Sequence, residues 1–180
     1  MLILPRTDAF IPLEGLLPSS LLPWVSCQTS LTEKLEKRAG EAHLQVLGQA
    51  FSVPNWWENQ VLHVHSAVFR RNILMWASHQ PCWYARTIIP HTTYKAYQQL
   101  FHRLEQESLG ELIFNSPDIK RLHFVHYPIN EHSLEYHWLT PLMHVHENKL
   151  WVRFSTFMVA ERAPFFLIEI LLPGLNRYLN

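Results

Sequence analysis

The chain has 180 residues, enough for one domain with a sizeable core, and its fifteen basic and fifteen acidic side chains cancel. That balance excludes the basic footprint of a nucleic-acid or acidic-membrane binder. A hydrophobic share of 48%, with seven Trp and ten Phe, excludes a disordered chain, and Cys27 and Cys82 are too few for a disulfide framework.

Residues 1–17 read as an irregular segment, because Pro5, Pro12 and Pro18 divide short apolar pieces. Its first apolar run is broken by Pro5 with no charged leader before it, and no later run has the length to span a bilayer. With the cysteine count, this predicts a soluble cytoplasmic protein. Pro18 to Trp24 can form a short helix. Ser30-Leu31-Thr32-Glu33 has the capping-box pattern, with Leu31 and Leu35 on one helical face and Gly40 as a stop. Ala42 to Ser52 alternates as a strand, Pro54 to Asn59 reads as a turn or loop, and a new strand is expected from about Val61.

Val68 to Pro90 is predicted as two strands with a turn at Ser78-His79-Gln80-Pro81. Thr93 to Leu104 carries Tyr94, Tyr97, Leu100, Phe101 and Leu104 at the spacing of a roughly three-turn helix. Ser108 to Phe114 follows as a shorter helical piece. The last third returns to strands at Arg121–Tyr127, Leu150–Phe157 and Phe165–Leu172, the last apolar enough to be buried on both faces.

Two charged residues break these patterns. Strand alternation sends Arg71 to the face of Phe69, Ile73 and Met75, where a guanidinium is costly unless an anion meets it. Either an internal carboxylate supplies that anion or the face forms an anion-binding pocket. Glu169 lies inside the most apolar strand, either paired to Arg71 or Arg153 or facing a cavity.

Five segments carrying these residues, between about 18 and 173, resemble the chorismate pyruvate-lyase family. They are Ser30-Leu31-Thr32, the Arg71-Asn72-Ile73-Leu74-Met75-Trp76 strand, Ala85-Arg86-Thr87-Ile88-Ile89-Pro90, Ser108 to Phe114, and Leu150-Trp151-Val152-Arg153-Phe154-Ser155 running on to Glu169-Ile170-Leu171-Leu172-Pro173. The resemblance implies one α+β domain over 1–180, a twisted antiparallel sheet with helices packed on one face, and a ligand sealed beneath flaps. It implies a carbon–oxygen lyase without cofactor that converts chorismate to 4-hydroxybenzoate and pyruvate for ubiquinone synthesis, acting as a monomer without nucleic-acid or membrane partners. Its ligand-binding positions fall on Leu31, Arg71, Leu109 and Glu169: the arginine grips the ring carboxylate, the glutamate approaches the opposite hydroxyl, and the leucines belong to the closing segments. Arg71 and Glu169 are then the catalytic pair. Arg86 or Arg153 is a candidate for the second carboxylate of the substrate.

This chain departs from the family pattern in its His-rich stretch from Arg121 to Lys149, in Phe154 after Arg153, and in a turn at 78–81 without glycine. These bear on flap geometry and affinity rather than on reaction class. Two other readings compete. His63/His65 and His144/His146, with Glu147, have spacings that metals use, but no glycine framework surrounds them and no metal is expected. A non-catalytic binder of small aromatic carboxylates is the alternative function, since related folds serve as effector domains beside DNA-binding neighbours, for which 180 residues leave no room. A nucleophilic Cys27 or Cys82 has no recognisable partner base.

Overall fold

The structure, a computed structural model, describes residues 17–105, 107–142 and 147–179. Six antiparallel strands form one sheet in the order β1-β2-β3-β6-β5-β4. They are β1 (His43–Ser52), β2 (Val68–Ala77), β3 (Gln80–Pro90), β4 (Ile119–Ile129), β5 (Leu150–Val159) and β6 (Ala163–Leu171). Two three-stranded meanders therefore join edge to edge where β3 pairs β6. β6 lies between β3 and β5 and is buried on both faces, as its apolar run predicts.

Among the described residues six α-helices accompany the sheet: α1 (Leu22–Val25), α2 (Leu31–Ala39), α3 (Trp56–Val61), α4 (His91–Ala96), α5 (Gln98–His102) and α6 (Leu109–Phe114). Ser30 caps α2 by accepting the Glu33 amide at 3.2 Å, and Gly40 ends it with φ of 81°. Asn55 and Ser108 form complete capping boxes with Glu58 and Glu111. Residues 54–59, expected to be a loop, thus begin helix α3, because Asn55 supplies the cap that the Pro54 signal obscured. The strand expected from Val61 begins only at Val68. The single helix expected over 93–104 is broken at Tyr97 (φ −127°, ψ 40°) into α4 and α5.

Side-chain parity divides the interior. On one face α1, α2 and α4–α6 cover Ile73, Met75, Trp83, Ala85, Ile89, Phe157, Phe165 and Leu171. On the other, α3 and the 3₁₀ turn at Tyr136–Trp138 cover Leu74, Tyr84, Ile88, Val152, Phe154, Ile168 and Ile170. Most of the helices lie on the first face. Burying Leu31 and Leu35 docks α2 there, each such side chain contributing about 1.5–3 kcal/mol.

Candidate active site

The β2 alternation places Arg71 beneath the helix-covered face with 3% of its surface exposed, while its neighbour Arg70 points the opposite way. The two show contrasting environments. Arg70 is clasped by the fully buried Glu58, with Nε to Oε1 at 2.8 Å and Nη2 to Oε2 at 2.6 Å. Arg71 has no carboxylate partner among the described residues. Its Nη2 donates to the Glu107 carbonyl at 3.3 Å and its Nε meets no acceptor. Burial lowers the affinity of its guanidinium for its proton.

Arg71 opens onto a cavity of about 50 Å³ that is also lined by Arg121, Arg153 and Glu169. Its floor includes Ile73, Met75, Trp83 and Ala85, and its roof is Ser30-Leu31-Thr32 at the start of α2 and Ser108-Leu109-Gly110 at the start of α6. The two helix starts abut: a Cβ on Gly110 would lie 3.2 Å from Ser30 Oγ. A cavity of this size is well below the ~150 Å³ that holds benzene in an engineered protein. A ring enters only if the roof segments move apart.

Register fixes the distance between the two flagged residues. Arg71 pairs Thr87, which pairs Leu167, whereas Glu169 pairs Ala85, which pairs Ile73. The two Cα atoms are thus two strands and two residues apart, roughly 12 Å from strand spacings of about 5 Å and a rise of ~3.3 Å. Both side chains line the cavity. Glu169, 8% exposed, faces Arg153 directly across β5, with Oε2 3.4 Å from Nη1. Of the pairings open to Glu169, the structure forms that with Arg153. Arg153 is 1% exposed, and its Nη2 donates to the Cys27 carbonyl at 2.8 Å, while Nε and Nη1 lack hydrogen bonds.

This geometry accords with kinship. The family model described as chorismate lyase matches residues 13–175. The chain belongs to the chorismate lyase family. A probable chorismate pyruvate-lyase of Aromatoleum aromaticum is 26% identical over 179 residues, covering 96% of each chain. A chorismate pyruvate-lyase of Citrobacter koseri is 29% identical over 107 residues, 58% of this chain and 65% of that one. In fold, the effector domain of PhnF from Mycobacterium smegmatis superposes with a TM-score of 0.58 over 81% of this chain and 89% of its own, at 12% identity.

In this cavity the structure brings together Leu31, Arg71, Leu109, Arg153 and Glu169. Arg86 does not join them. Even-numbered residues of β3 face the other side of the sheet, and Arg86 Nε there donates to Asn72 Oδ1 at 2.9 Å and to the Tyr84 hydroxyl at 3.1 Å, its guanidinium 4.0 Å from the Trp138 ring centroid. The second-carboxylate assignment to Arg86 is therefore corrected: it is an arginine of the opposite core.

Arg121 was missed. A bulge between Arg121 and His123 shifts the β4 register, so that Arg121 and Phe124 share the site face despite opposite parity. Burial and the nearby Arg153 lower the Arg121 proton affinity, and Glu169 raises it. His63, with φ of 54°, and His65, bonded through Nδ1 to Asn59 at 3.0 Å, occupy the turn after α3 rather than one strand face. His144 and His146 lie outside the described residues, and among the described ones no three His, Cys, Asp or Glu side chains converge as a metal site.

Proposed function

We propose that this chain, acting as one domain, eliminates pyruvate from chorismate to give 4-hydroxybenzoate, the ring precursor for ubiquinone. The observation that carries this reading is that Arg71 and Glu169, roughly 12 Å apart at Cα by the strand register, line one roofed cavity. Three guanidiniums against one carboxylate leave the cavity with two positive charges, which suits a substrate bearing two carboxylates.

The ring carboxylate pairs with Arg71, whose planar fork makes two charge-assisted hydrogen bonds at once. The para hydroxyl then lies at Glu169. Carbon 4 loses its proton, the electron pair of that C–H bond completes the aromatic ring, and the ether bond at carbon 3 breaks. The departing enol carbon takes up a proton to become the methyl group of pyruvate. Aromatisation drives the reaction, so the protein's task is to orient the ring and exclude water. Glu169 positions the hydroxyl or relays the proton, a role worth about 10²–10⁴-fold if it transfers the proton itself. Leu31 and Leu109 close over the ring edge. No step requires a cofactor. Two unpaired cysteines, Cys27 and the buried Cys82, are consistent with a cytoplasmic setting.

The direct test is incubation of the purified protein with chorismate, without added metal, while pyruvate and 4-hydroxybenzoate are followed. Both products should appear in equal amounts. Binding of 4-hydroxybenzoate without turnover of chorismate would reduce the protein to a carrier of aromatic carboxylates.

A further inference from the structure

Each of the three arginines of the cavity, Arg71 and Arg153 buried and Arg121 half-buried, donates to a backbone carbonyl of a segment that leads into its roof. Arg71 holds Glu107, immediately before the cap of α6. Arg153 holds Cys27 at 2.8 Å, and Arg121 Nη1 holds the Gln28 carbonyl at 3.1 Å and its side-chain oxygen at 3.2 Å, both shortly before the cap of α2. Guanidinium atoms remain without acceptors at Arg71 Nε, Arg121 Nε, and Arg153 Nε and Nη1. A neutral carbonyl is a weaker acceptor than a carboxylate, so an entering carboxylate competes well for these donors.

The substrate's own geometry decides which arginines meet which carboxylate. The enolpyruvyl ether leaves carbon 3, adjacent to the hydroxyl at carbon 4, so its carboxylate belongs at the Glu169 end, away from Arg71. That end holds Arg153, directly opposite Glu169 in the β5–β6 register, and Arg121, which senses the charges of both. Their guanidiniums lie 5.4 and 5.1 Å from the ring centroid of Phe124. Arg121 also lines a second, more open cavity of about 330 Å³, which shares Ile113, Phe114 and Phe157 with the inner one and reaches Gln28. Arg121 therefore stands in the wall between the inner cavity and the outer one.

We propose that Arg121 and Arg153 receive the enolpyruvyl carboxylate and release the Cys27 and Gln28 carbonyls to do so, making the segment into α2 a latch that counts carboxylates. A dianion occupies both ends and frees this latch. A monoanionic product occupies only Arg71, and Arg121 and Arg153 close again on Cys27 and Gln28. The inference deepens the lyase reading by assigning the second subsite, and its test is independent of turnover.

The test uses two stable probes in calorimetry: 4-hydroxybenzoate as monoanion, and 3-(carboxymethoxy)-4-hydroxybenzoate as dianion. Arg121→Met should weaken the dianion tenfold or more and leave the monoanion within about twofold. Arg71→Met should weaken both. In the wild-type protein, hydrogen exchange of residues 26–33 should be slower with the monoanion than with the dianion at saturation. Equal losses for the two probes in Arg121→Met, or equal protection of 26–33 by both, would overturn the latch. Absence of pyruvate from chorismate would refute the lyase reading instead and leave these binding results to be judged on their own.

Discussion

Arg70 and Arg71 are adjacent, both largely buried, and respond oppositely to the same substitution. Replacing Arg71 with Met removes a guanidinium that gains only one neutral hydrogen bond, at 3.3 Å to Glu107, in return for its desolvation. Exchange of buried charge for a well-packed apolar side chain is often neutral or stabilising by 1–4 kcal/mol. Allowing about 1 kcal/mol for the lost bond to Glu107, Arg71→Met should stabilise the free protein by about 1–2 kcal/mol. That is a rise in Tm of roughly 2–8 °C for a chain of this size. In Arg70→Met the fully buried Glu58 is left charged without its two-pronged partner. The expected loss is about 3–5 kcal/mol, a fall of roughly 6–20 °C.

Ligand binding separates the pair again. Loss of a bidentate carboxylate contact at Arg71, on the order of 3 kcal/mol, should weaken 4-hydroxybenzoate about a hundredfold. Arg70→Met, below its melting temperature, should bind nearly normally. Melting curves without ligand and calorimetry at 20 °C read both effects. An Arg71→Met protein that melts several degrees lower yet binds 4-hydroxybenzoate unchanged would refute the reasoning, because Arg71 would then be a structural residue.

Other expectations follow from the same geometry. Glu169→Gln should retain 4-hydroxybenzoate binding within about tenfold while kcat falls by about 10²-fold or more, since the amide can position a hydroxyl but cannot take a proton; normal kcat would make Glu169 structural. Burial pushes the Cys82 thiol up to about 11, so in the folded protein it should resist alkylation at pH 8 and label only on unfolding. The folded state keeps that proton when the unfolded state has lost it, so stability should decline as pH rises from about 9 toward 11, less steeply in Cys82→Ala. Ser78 and His79 have φ of 45° and 61° in the two-residue β2–β3 turn, so Asn-Gly at these positions should raise stability by about 0.5–1 kcal/mol in a denaturant titration. Gly174 lies against the Pro81 backbone so closely that a Cβ would overlap its carbonyl, and Gly174→Ala should destabilise by about 1–3 kcal/mol in the same titration.

The legible parts of the sequence were those where one local rule acts alone. Period-two alternation located Arg71 on the site face, an uninterrupted apolar run marked β6 as central, and the odd carboxylate within that run marked Glu169. The less legible parts were those where a long-range pairing overrides a local rule. The β4 bulge depends on its partner β5, so nothing in the sequence of Arg121 to Tyr127 shows that Arg121 changes sides. Arg86 carried no local sign of its face until the β3 register was fixed by β2 and β6. The helix break at Tyr97 interrupts a stripe whose spacing is otherwise regular. A strict count back from the 78–79 turn would pair Arg71 with Arg86 and keep Arg86 on the site face; the irregularity between Met75 and Trp76 shifts the register by one residue, so that Arg86 meets Asn72 instead.

The arrangement of the arginines also explains why the cavity tolerates so much positive charge. Were Arg71 and Arg121 paired with carboxylates, as Arg70 is with Glu58 and Arg153 with Glu169, the pocket would be neutral and a dianion would have to displace existing ion pairs. Were they unpaired, the desolvation cost would be several kcal/mol each. Backbone carbonyls of 27, 28 and 107 provide an intermediate solution: they satisfy part of each guanidinium without cancelling its charge. Because those carbonyls belong to the segments that lead into the roof, the electrostatic attraction for the ligand and the closure of the cavity depend on the same donors. A substitution that strengthens one therefore weakens the other, and carboxylates introduced at Gln28 or near Glu107 should close the roof more firmly while reducing affinity for every anionic ligand.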